Sequence, residues 1–316
     1  VGDRTEMSTL TEVYMSAGAE VGSCAVGSVK SQIGHTKCAA GMAGLIKVAL
    51  SLYHGVRPPT LHIESPNPAY HPETSPFVFH DVARPWPAKK RHGAVSAFGF
   101  GGTNFHVVLS AYEGAESTAT AVDEWPAELF LLRGADNDAV AETLERLEKW
   151  AAAEGELRLR DLAKSVCENG HGPVKVAIVA KSRGDLSDKL ARLRAGDAKT
   201  PDVFVRSDGV ATPGKVAFLF AGQGSQRPGM MGELFITFPR LHNYLRLGHE
   251  HVSRMFPPAA FSREQEKAQE AALTDTRFAQ PSLGIADLAM AELLRSVGVL
   301  PDVVAGHSYG ELVALC

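Results

Sequence analysis

Hydrophobic positions in the first third of the chain have the spacing of short strands and one long helix. Residues 77–79 (FVF) and 105–109 predict strands. A segment of small and apolar residues over 36–53 predicts a helix, and Gly55 stands where a helix stop is expected. The small residues near its start predict close packing of this helix against a neighbour.

The middle of the chain repeats a strand-then-helix pattern. Residues 129–132 (LFLL) and 174–180 (VKVAIVA) predict strands. Apolar side chains at helical spacing follow each strand: Val140, Leu144, Leu147, Trp150 and Ala151 after the first, and Leu186, Leu190 and Leu193 after the second. We predict a small β-α-β-α module, and because it contains no chemical motif we interpret it as a structural spacer.

The last hundred residues predict another α/β unit. A strand over 215–220 runs into a glycine-rich loop, a helix covers 286–297, and a short strand over 301–305 leads into the sequence GHSYG. An Ala/Ser/Thr-rich stretch at 111–123 without periodicity separates the first segment from the middle one. We therefore predict domains at 1–112, 113–210 and 211–316.

Composition narrows the class of protein. With 45% hydrophobic and 22% charged residues in 316, the chain resembles soluble globular proteins, and its net charge of −4 argues against a general nucleic-acid or membrane-surface binder. No apolar run reaches the roughly 18–20 residues of a membrane span. The four cysteines lack CxxC spacing, so neither a disulfide framework nor a zinc site is expected. We therefore expect a cytoplasmic location. The chain begins at a valine rather than a methionine, and we expect it to be cut from a longer protein at both ends.

The sequence GHSYG at 306–310 has the form of a nucleophile elbow. A serine on a tight strand-to-helix turn needs small residues two positions to either side, which Gly306 and Gly310 supply. The turn exposes the Ser308 hydroxyl and aims the backbone N–H of Tyr309 at an oxyanion. The loop AGQGSQ at 221–226 is compatible with an ordinary glycine turn, but it also lets the N–H of Gln223 complete a two-donor oxyanion hole.

The combination of GQGSQ, AQP at 279–281 and GHSYG resembles the first third of a malonyl-CoA:acyl-carrier-protein acyltransferase domain. The resemblance implies that Ser308 carries the malonyl ester, that His307 and Gln280 line the pocket, and that Gln223 and Tyr309 supply oxyanion N–H groups. It also implies that the base histidine and the carboxylate-binding arginine lie beyond residue 316, since no histidine follows Ser308.

Two further motifs lie in the first third. In KSQIGHT (30–36), His35 is either a capping or core histidine or a neutral hydrogen-bond donor near a helix N-terminus, where the macrodipole disfavours imidazolium. The stretch AFGFGGTN (97–104) is either a glycine hairpin or a mobile loop that lets one bulky side chain swing.

Together, VGD at the start, KSQIGHT, TLHIESPNP, RPWP and AFGFGGTNFHVVL resemble the C-terminal half of a β-ketoacyl synthase of thiolase-like fold. The resemblance implies that His35 is one of two active-site histidines and that Lys30 is the associated lysine. It implies that Phe100 is a gating phenylalanine supported by Asn104. The nucleophilic cysteine would lie upstream, so Cys24, Cys38 and Cys167 are expected to be structural.

This domain order resembles a type I polyketide synthase, most closely the iterative enediyne-type and polyunsaturated-fatty-acid-type enzymes. The expected fold is α/β: a partial thiolase-like ketosynthase, a small α/β linker domain and a partial α/β-hydrolase-like acyltransferase. The resemblance implies malonyl loading from malonyl-CoA and decarboxylative Claisen condensation of acyl thioesters. It implies no cofactor in this chain, phosphopantetheine on an acyl carrier protein domain outside it, and a homodimer formed through the ketosynthase.

Two other functions stay open. The elbow also suits a serine acyl hydrolase with an accessory domain. The isolated chain, which we expect to be inactive because neither site is complete, could instead serve as a docking or dimerisation module. Metal binding by HEH at 249–251 is the weakest hypothesis, since an exposed helix face explains this tripeptide.

Overall fold

The computed structural model describes residues 2–99, 101–112, 125–153, 157–197, 199–206 and 214–316. The chain forms two compact units. The first unit combines the described residues of segments 1–121 and 215–316, and the second comprises those of 122–214.

The N-terminal segment of the first unit contains three helices and three pairs of short strands. Strand β1 pairs with β3 in parallel, β2 with β4 antiparallel, and β5 with β6 as an antiparallel hairpin. The elements are α1 (Gly2–Ser16), β1 (Cys24–Ala25), α2 (Lys30–Ile33), α3 (Ala40–His54), β2 (Val56–Arg57), β3 (Phe77–Val78), β4 (Arg84–Pro85), β5 (His92–Phe98) and β6 (Asn104–Ser110).

Helix α3 packs on strand β5 through glycines. A Cβ on Gly41 would lie 3.0 Å from the Cβ of Ala97, and one on Gly44 would lie 3.1 Å from Cγ1 of Val95. The predicted helix is thus confirmed, and so is its close packing. It begins later than expected, because residues 37–39 form a 3-10 turn, and it ends at Gly55, whose φ of 65° is left-handed.

The second unit is a three-stranded antiparallel sheet, ordered β7-β8-β9, with three helices. Its elements are β7 (Glu128–Arg133), α4 (Asn137–Ala152), α5 (Leu159–Asn169), β8 (Val174–Ala180), α6 (Arg183–Arg194) and β9 (Val203–Val205). The predicted β-α-β-α order was wrong in lacking α5 and β9. Helix α5 inserts a second helix between the strands, and its Leu162, Ala163 and Val166 are buried in the core. Strand β9 is only three residues long.

The C-terminal segment belongs to the first unit and has two adjacent parallel strands among six helices. Its elements are β10 (Ala217–Phe220), α7 (Gly232–Thr237), α8 (His242–Leu247), α9 (His249–Met255), α10 (Arg263–Thr274), α11 (Thr276–Ser296), β11 (Val303–Gly306) and α12 (Tyr309–Ala314). Helix α11 begins ten residues before its predicted start, and it contains Pro281 in its interior. The sequence prediction missed the first turns of α11 because a proline, which lacks a backbone N–H, normally indicates the end of a helix.

The HEH tripeptide begins α9, and its interpretation as an exposed face was wrong for one residue. His249 and Glu250 are exposed, but His251 is buried and its ring contacts that of Phe278. Within the described ranges, no cluster of three metal-ligating side chains occurs. In the same part of the chain, every helix is too short or too polar to cross a bilayer.

Two buried histidines lie in the first unit, and one of them, His242, contacts both of its segments. His242 of α8 donates through Nε2–H to the carbonyl of Phe235 at 3.0 Å, and a Cβ on Gly55 would lie 3.5 Å from its ring. Burial lowers the pKa of His242 to about 4, although the hydrogen bond to Phe235 opposes that shift. Burial likewise lowers the pKa of His80 to about 4, with Arg57 and Arg84 adding to the effect.

These two histidines predict acid sensitivity. Between about pH 6.5 and pH 4 the unfolded chain binds protons that the folded chain excludes, so stability is complete above pH 6.5 and is lost as pH falls through this window. Each histidine accounts for at most about 3 kcal/mol. We expect the thermal midpoint to fall from pH 7.5 to pH 5, and to fall less in His242→Gln. An equal fall in this variant would contradict the assignment for His242.

Candidate active sites

The serine elbow joins β11 to α12 with a backbone that only glycines permit. Ser308 has φ 56° and ψ −119°, an unfavourable conformation for a residue with a side chain. A Cβ on Gly306 would overlap the backbone of Gly310. A Cβ on Gly310 would lie 2.8 Å from the carbonyl oxygen of Ala221 and would clash with that of Phe220. The serine side chain is exposed at the end of the sheet.

Parallel pairing of β10 and β11 brings the second glycine loop beside the elbow. Phe220 is in register with Gly306, and the N–H of His307 donates to the Phe220 carbonyl at 3.1 Å. A Cβ on Gly222 would lie 2.8 Å from Nδ1 of His307. The structure therefore brings the loop of Gln223 to the same sheet edge as His307 and Ser308.

Two backbone donors at this edge lack acceptors. The N–H groups of Gln223 and Tyr309 have no hydrogen-bond partner in the part of the chain that the structure describes. Tyr309 is the first residue of α12, where no intrahelical acceptor is available. The side chain of Gln223 is tied to α11 by a hydrogen bond of 3.2 Å from Nε2 to Oγ1 of Thr276. This bond fixes the side chain and leaves the backbone N–H for a ligand.

Helix α11 also supports the elbow. A Cβ on Gly284 would lie 2.9 Å from the ring of Tyr309, so this glycine lets the two helices approach. Gln280 lies one turn earlier on α11 and is half-buried. Among the described residues, no hydrogen bond joins Gln280 to Ser308, so its predicted place in the pocket stays a prediction.

His35 has a fixed tautomer. It lies in the loop between α2 and α3 and is exposed, and its Nδ1 accepts a hydrogen bond of 3.0 Å from the N–H of Lys37. Thr36 has φ −82° and ψ 20°, a turn conformation that brings the following amide back toward the ring. Since Nδ1 accepts, the proton of the neutral imidazole is on Nε2, and this nitrogen can donate to a ligand.

The other predicted residues of this segment lie around the same helix. Lys30 begins α2 and is exposed, and no hydrogen bond joins its side chain to His35 among the described residues. Asn104 begins β6 opposite Phe98. The loop between them is closed by a hydrogen bond from the Gly99 N–H to the Thr103 carbonyl, as in the predicted glycine hairpin. Phe100 lies outside the described residues.

The packing of α3 decides which ends of these elements meet. Its first turns lie over Ala97 and Val95, and a Cβ on Gly93, at the other end of β5, would lie 2.6 Å from Cγ1 of Val48. Helix α3 and strand β5 therefore run in opposite directions. As a result, His35 lies at the same end of this layer as the glycine loop that precedes Asn104.

Family models match most of the chain in three consecutive parts. Residues 1–64 match the C-terminal domain of β-ketoacyl synthases, 66–172 the ketoacyl-synthetase C-terminal extension, and 217–316 the acyl transferase domain. The polyketide synthase GfsA of Streptomyces halstedii is 36% identical over 321 positions that cover all of this chain. The chain belongs to the type I polyketide synthases.

A second relative and a solved structure are also similar to this chain. One component of the polyunsaturated fatty acid synthase of a Thraustochytrium species is 32% identical and also covers the whole chain. A ketosynthase of the bacillaene synthase of Bacillus amyloliquefaciens is 28% identical over 66% of this chain and 36% of its own, with a TM-score of 0.34. The fold is that of partial ketosynthase and acyltransferase domains, an assignment that rests on the family models.

The chain spans only a small part of these synthases. It covers 4% of GfsA and 13% of the polyunsaturated fatty acid synthase component. The enediyne-type resemblance and the three predicted domain boundaries stay predictions. The roles of the site residues also stay predictions, because similarity over a whole domain does not assign them.

Sequence reasoning missed two polar residues that support these sites. Lys47 of α3 donates through Nζ to the carbonyls of Pro59 and Ser28, at 3.2 and 3.4 Å, and burial lowers its pKa. Asp287 of α11 is half-buried, and burial raises its pKa to about 6. The signal for Asp287 was a lone acid within an apolar stretch of α11, two turns after Gln280.

The elbow predicts that Gly310→Ala is strongly destabilising. The added methyl group meets the carbonyl oxygens of Phe220 and Ala221, which are strand-end backbone and cannot move aside. We expect a loss of about 1–3 kcal/mol or more in the free energy of unfolding, measured by denaturant titration. Gly232→Ala is the matched control, because its Cβ would meet only a ring atom of Phe256 at 3.4 Å. Equal stability of both variants would contradict the close approach at the elbow.

Proposed function

We propose that Ser308 accepts a malonyl group from malonyl-CoA and passes it to the phosphopantetheine thiol of an acyl carrier protein domain. The observation that carries this proposal is the meeting of a strained, exposed serine with two unpartnered backbone donors at one sheet edge. Acyl transfer through a serine ester needs these parts, since charge develops on the carbonyl oxygen during attack. The acyltransferase family match supports it.

The chemistry of loading proceeds in two balanced steps. Ser308 Oγ attacks the thioester carbonyl and loses its proton to a base, and the N–H groups of Gln223 and Tyr309 stabilise the oxyanion. Collapse expels the coenzyme A thiolate, which takes up a proton. The carrier thiol then displaces Ser308 by the same route. We place the base and the group that binds the malonyl carboxylate outside this chain, with His307 and Gln280 lining the pocket.

For the ketosynthase part, we propose that His35 donates from Nε2 to the malonyl thioester oxygen during decarboxylation. The hydrogen bond from Lys37 to Nδ1 supports this role, because it reserves Nε2–H for the substrate. Lys30, Phe100 and Asn104 would complete this side of the site. The acyl chain would be held on a cysteine of the same synthase, and we propose a homodimer through the ketosynthase and a cytoplasmic location.

A serine acyl hydrolase is the second candidate, since the elbow and oxyanion donors suit transfer to water as well as to a thiol. The ketosynthase match at 1–64 favours transfer to a carrier. The two functions differ in the fate of the ester on Ser308: a hydrolase releases malonate, and a transferase retains the ester until a carrier thiol arrives.

Loading is tested on the intact synthase that contains this chain. After incubation with malonyl-CoA, we expect peptide mass spectrometry to find a malonyl adduct on the peptide of Ser308. Ser308→Ala should abolish it, and Ser225→Ala, which changes a serine of the neighbouring loop, should retain it. Rapid release of malonate without carrier would favour the hydrolase, and no adduct in the wild type would refute loading at this serine.

Condensation is tested with His35→Ala in the same synthase. Removing one donor to a developing oxyanion lowers the rate by about 10²–10³-fold, so we expect a loss of this size in condensation with malonyl loading on Ser308 unchanged. His92→Ala is the control, because His92 is an exposed histidine of β5 whose ring is hydrogen-bonded to Ser110. Condensation at the wild-type rate in His35→Ala would refute the assignment.

A further inference from the structure

A cavity of about 400 Å³ lies between the two segments of the first unit. Residues 85–89 (PWPAK) border it from the N-terminal segment, and helices α8 and α9 border it from the C-terminal segment. Its volume is within the range of small-molecule binding sites. None of the residues that we assign to acyl transfer or condensation lines this cavity.

The charged side chains around the cavity are basic. Arg57, Lys89 and Arg246 line it together with His249, and among the described residues no aspartate or glutamate does. In the same part of the chain, neither the two arginines nor the lysine forms an ion pair with a carboxylate. Positive charge is therefore concentrated here without a counter-charge, although the whole chain has a net charge of −4.

Arg246 of α8 is half-buried, and one of its donors is unsatisfied. Its Nε atom is buried and has no hydrogen-bond partner in the ranges that the structure describes. Burial lowers the pKa of Arg246, and burial together with the charge of Arg246 lowers the pKa of the neighbouring Arg91. The guanidinium of Arg91, by contrast, donates to the carbonyls of Leu52 and Ala88. An unpaired cation at the position of Arg246 costs stability unless an anion accompanies it.

Arg57 and Trp86 add an aromatic part to the wall of the cavity. The guanidinium carbon of Arg57 lies 5.3 Å from the centre of the Trp86 ring, within the range of cation–π interactions. This contact orients the guanidinium through the ring face and leaves its N–H groups for an acceptor. Leu245 and Val252 also line the cavity, so it combines basic and apolar surface.

We propose that this cavity binds a phosphoryl group, either as free phosphate or as part of a small organic phosphate such as a nucleotide. A phosphoryl group offers nearly two negative charges and three acceptor oxygens, and guanidinium groups bind it through paired N–H donors. Arg57, Lys89 and Arg246 would supply these donors. The apolar wall would contact the organic part of a larger ligand. This binding is independent of the chemistry proposed for Ser308 and His35.

The test measures amide hydrogen exchange in the intact synthase at constant ionic strength. The probes are inorganic phosphate, adenosine monophosphate and neutral adenosine. We expect phosphate and adenosine monophosphate to slow exchange in peptides 84–91 and 242–252, which border the cavity, and adenosine to have no effect. Adenosine monophosphate binding at least tenfold more tightly than phosphate would identify an organic phosphate as the ligand, and equal affinities would identify phosphate itself.

Three variants assign the binding to these side chains. Arg246→Met removes charge-assisted hydrogen bonds, so we expect the affinity for phosphate to fall about tenfold or more. Lys89→Met, at an exposed position where the fold is not at risk, should lower the affinity about two- to fivefold. Arg254→Met is the matched control, because it removes the same charge from α9, where the guanidinium of Arg254 lies over the ring of Phe278 and outside the cavity lining. This variant should bind phosphate like the wild type.

Exchange without ligand separates binding from a structural role. If Arg246 only supported the fold, Arg246→Met would exchange faster in 242–252 in the absence of phosphate. Removal of an unpaired cation should instead leave this exchange unchanged or slower. The proposal is overturned if phosphate changes exchange in neither bordering peptide of the wild type, or if Arg246→Met binds phosphate as well as Arg254→Met. Absence of a malonyl ester on Ser308 would refute the proposed function alone, because no step of this test uses that serine.

Discussion

The acyltransferase site depends on backbone segments that approach more closely than side chains allow. Gly306 and Gly310 let the chain reverse around Ser308, and Gly222 lies against His307 in the adjacent loop. Parallel pairing of β10 and β11 sets this approach, because it ends both strands at the same edge. The glycines let the loop of Gln223 and the elbow of Ser308 meet at this edge, so they shape the site as much as the serine does.

Helix α11 holds this arrangement together. Thr276 binds the side chain of Gln223, and Gly284 leaves room for the ring of Tyr309. This one helix therefore contacts both the loop of Gln223 and the elbow of Ser308. Rigid support of this kind matters for acyl transfer, because donors that are already oriented need no reorganisation as charge develops.

The ketosynthase segment uses a different device to orient a donor. The backbone N–H of Lys37 donates to Nδ1 of His35 and so selects the tautomer in which Nε2 carries the proton. Helix α3 packs closely on the β5–β6 hairpin because Gly41, Gly44 and Gly93 carry no side chains. This close packing places the loop of His35 at the same end of the layer as the glycine loop that precedes Asn104. In both segments, glycines decide which polar groups can come close together, because they have no side chain to keep the backbones apart.

The sequence by itself determined the features that are local in the chain. Apolar periodicity predicted α3, β7, β8 and β11, and the glycine spacing around Ser308 predicted the elbow, because these patterns are set by residues a few positions apart. Motifs such as KSQIGHT and GHSYG likewise predicted the synthase family. The tertiary structure alone decided the burial of His251, the anchoring of Lys47 and the hydrogen bond between Gln223 and Thr276. Each of these depends on a partner distant in the chain, and only packing decides which partner is near.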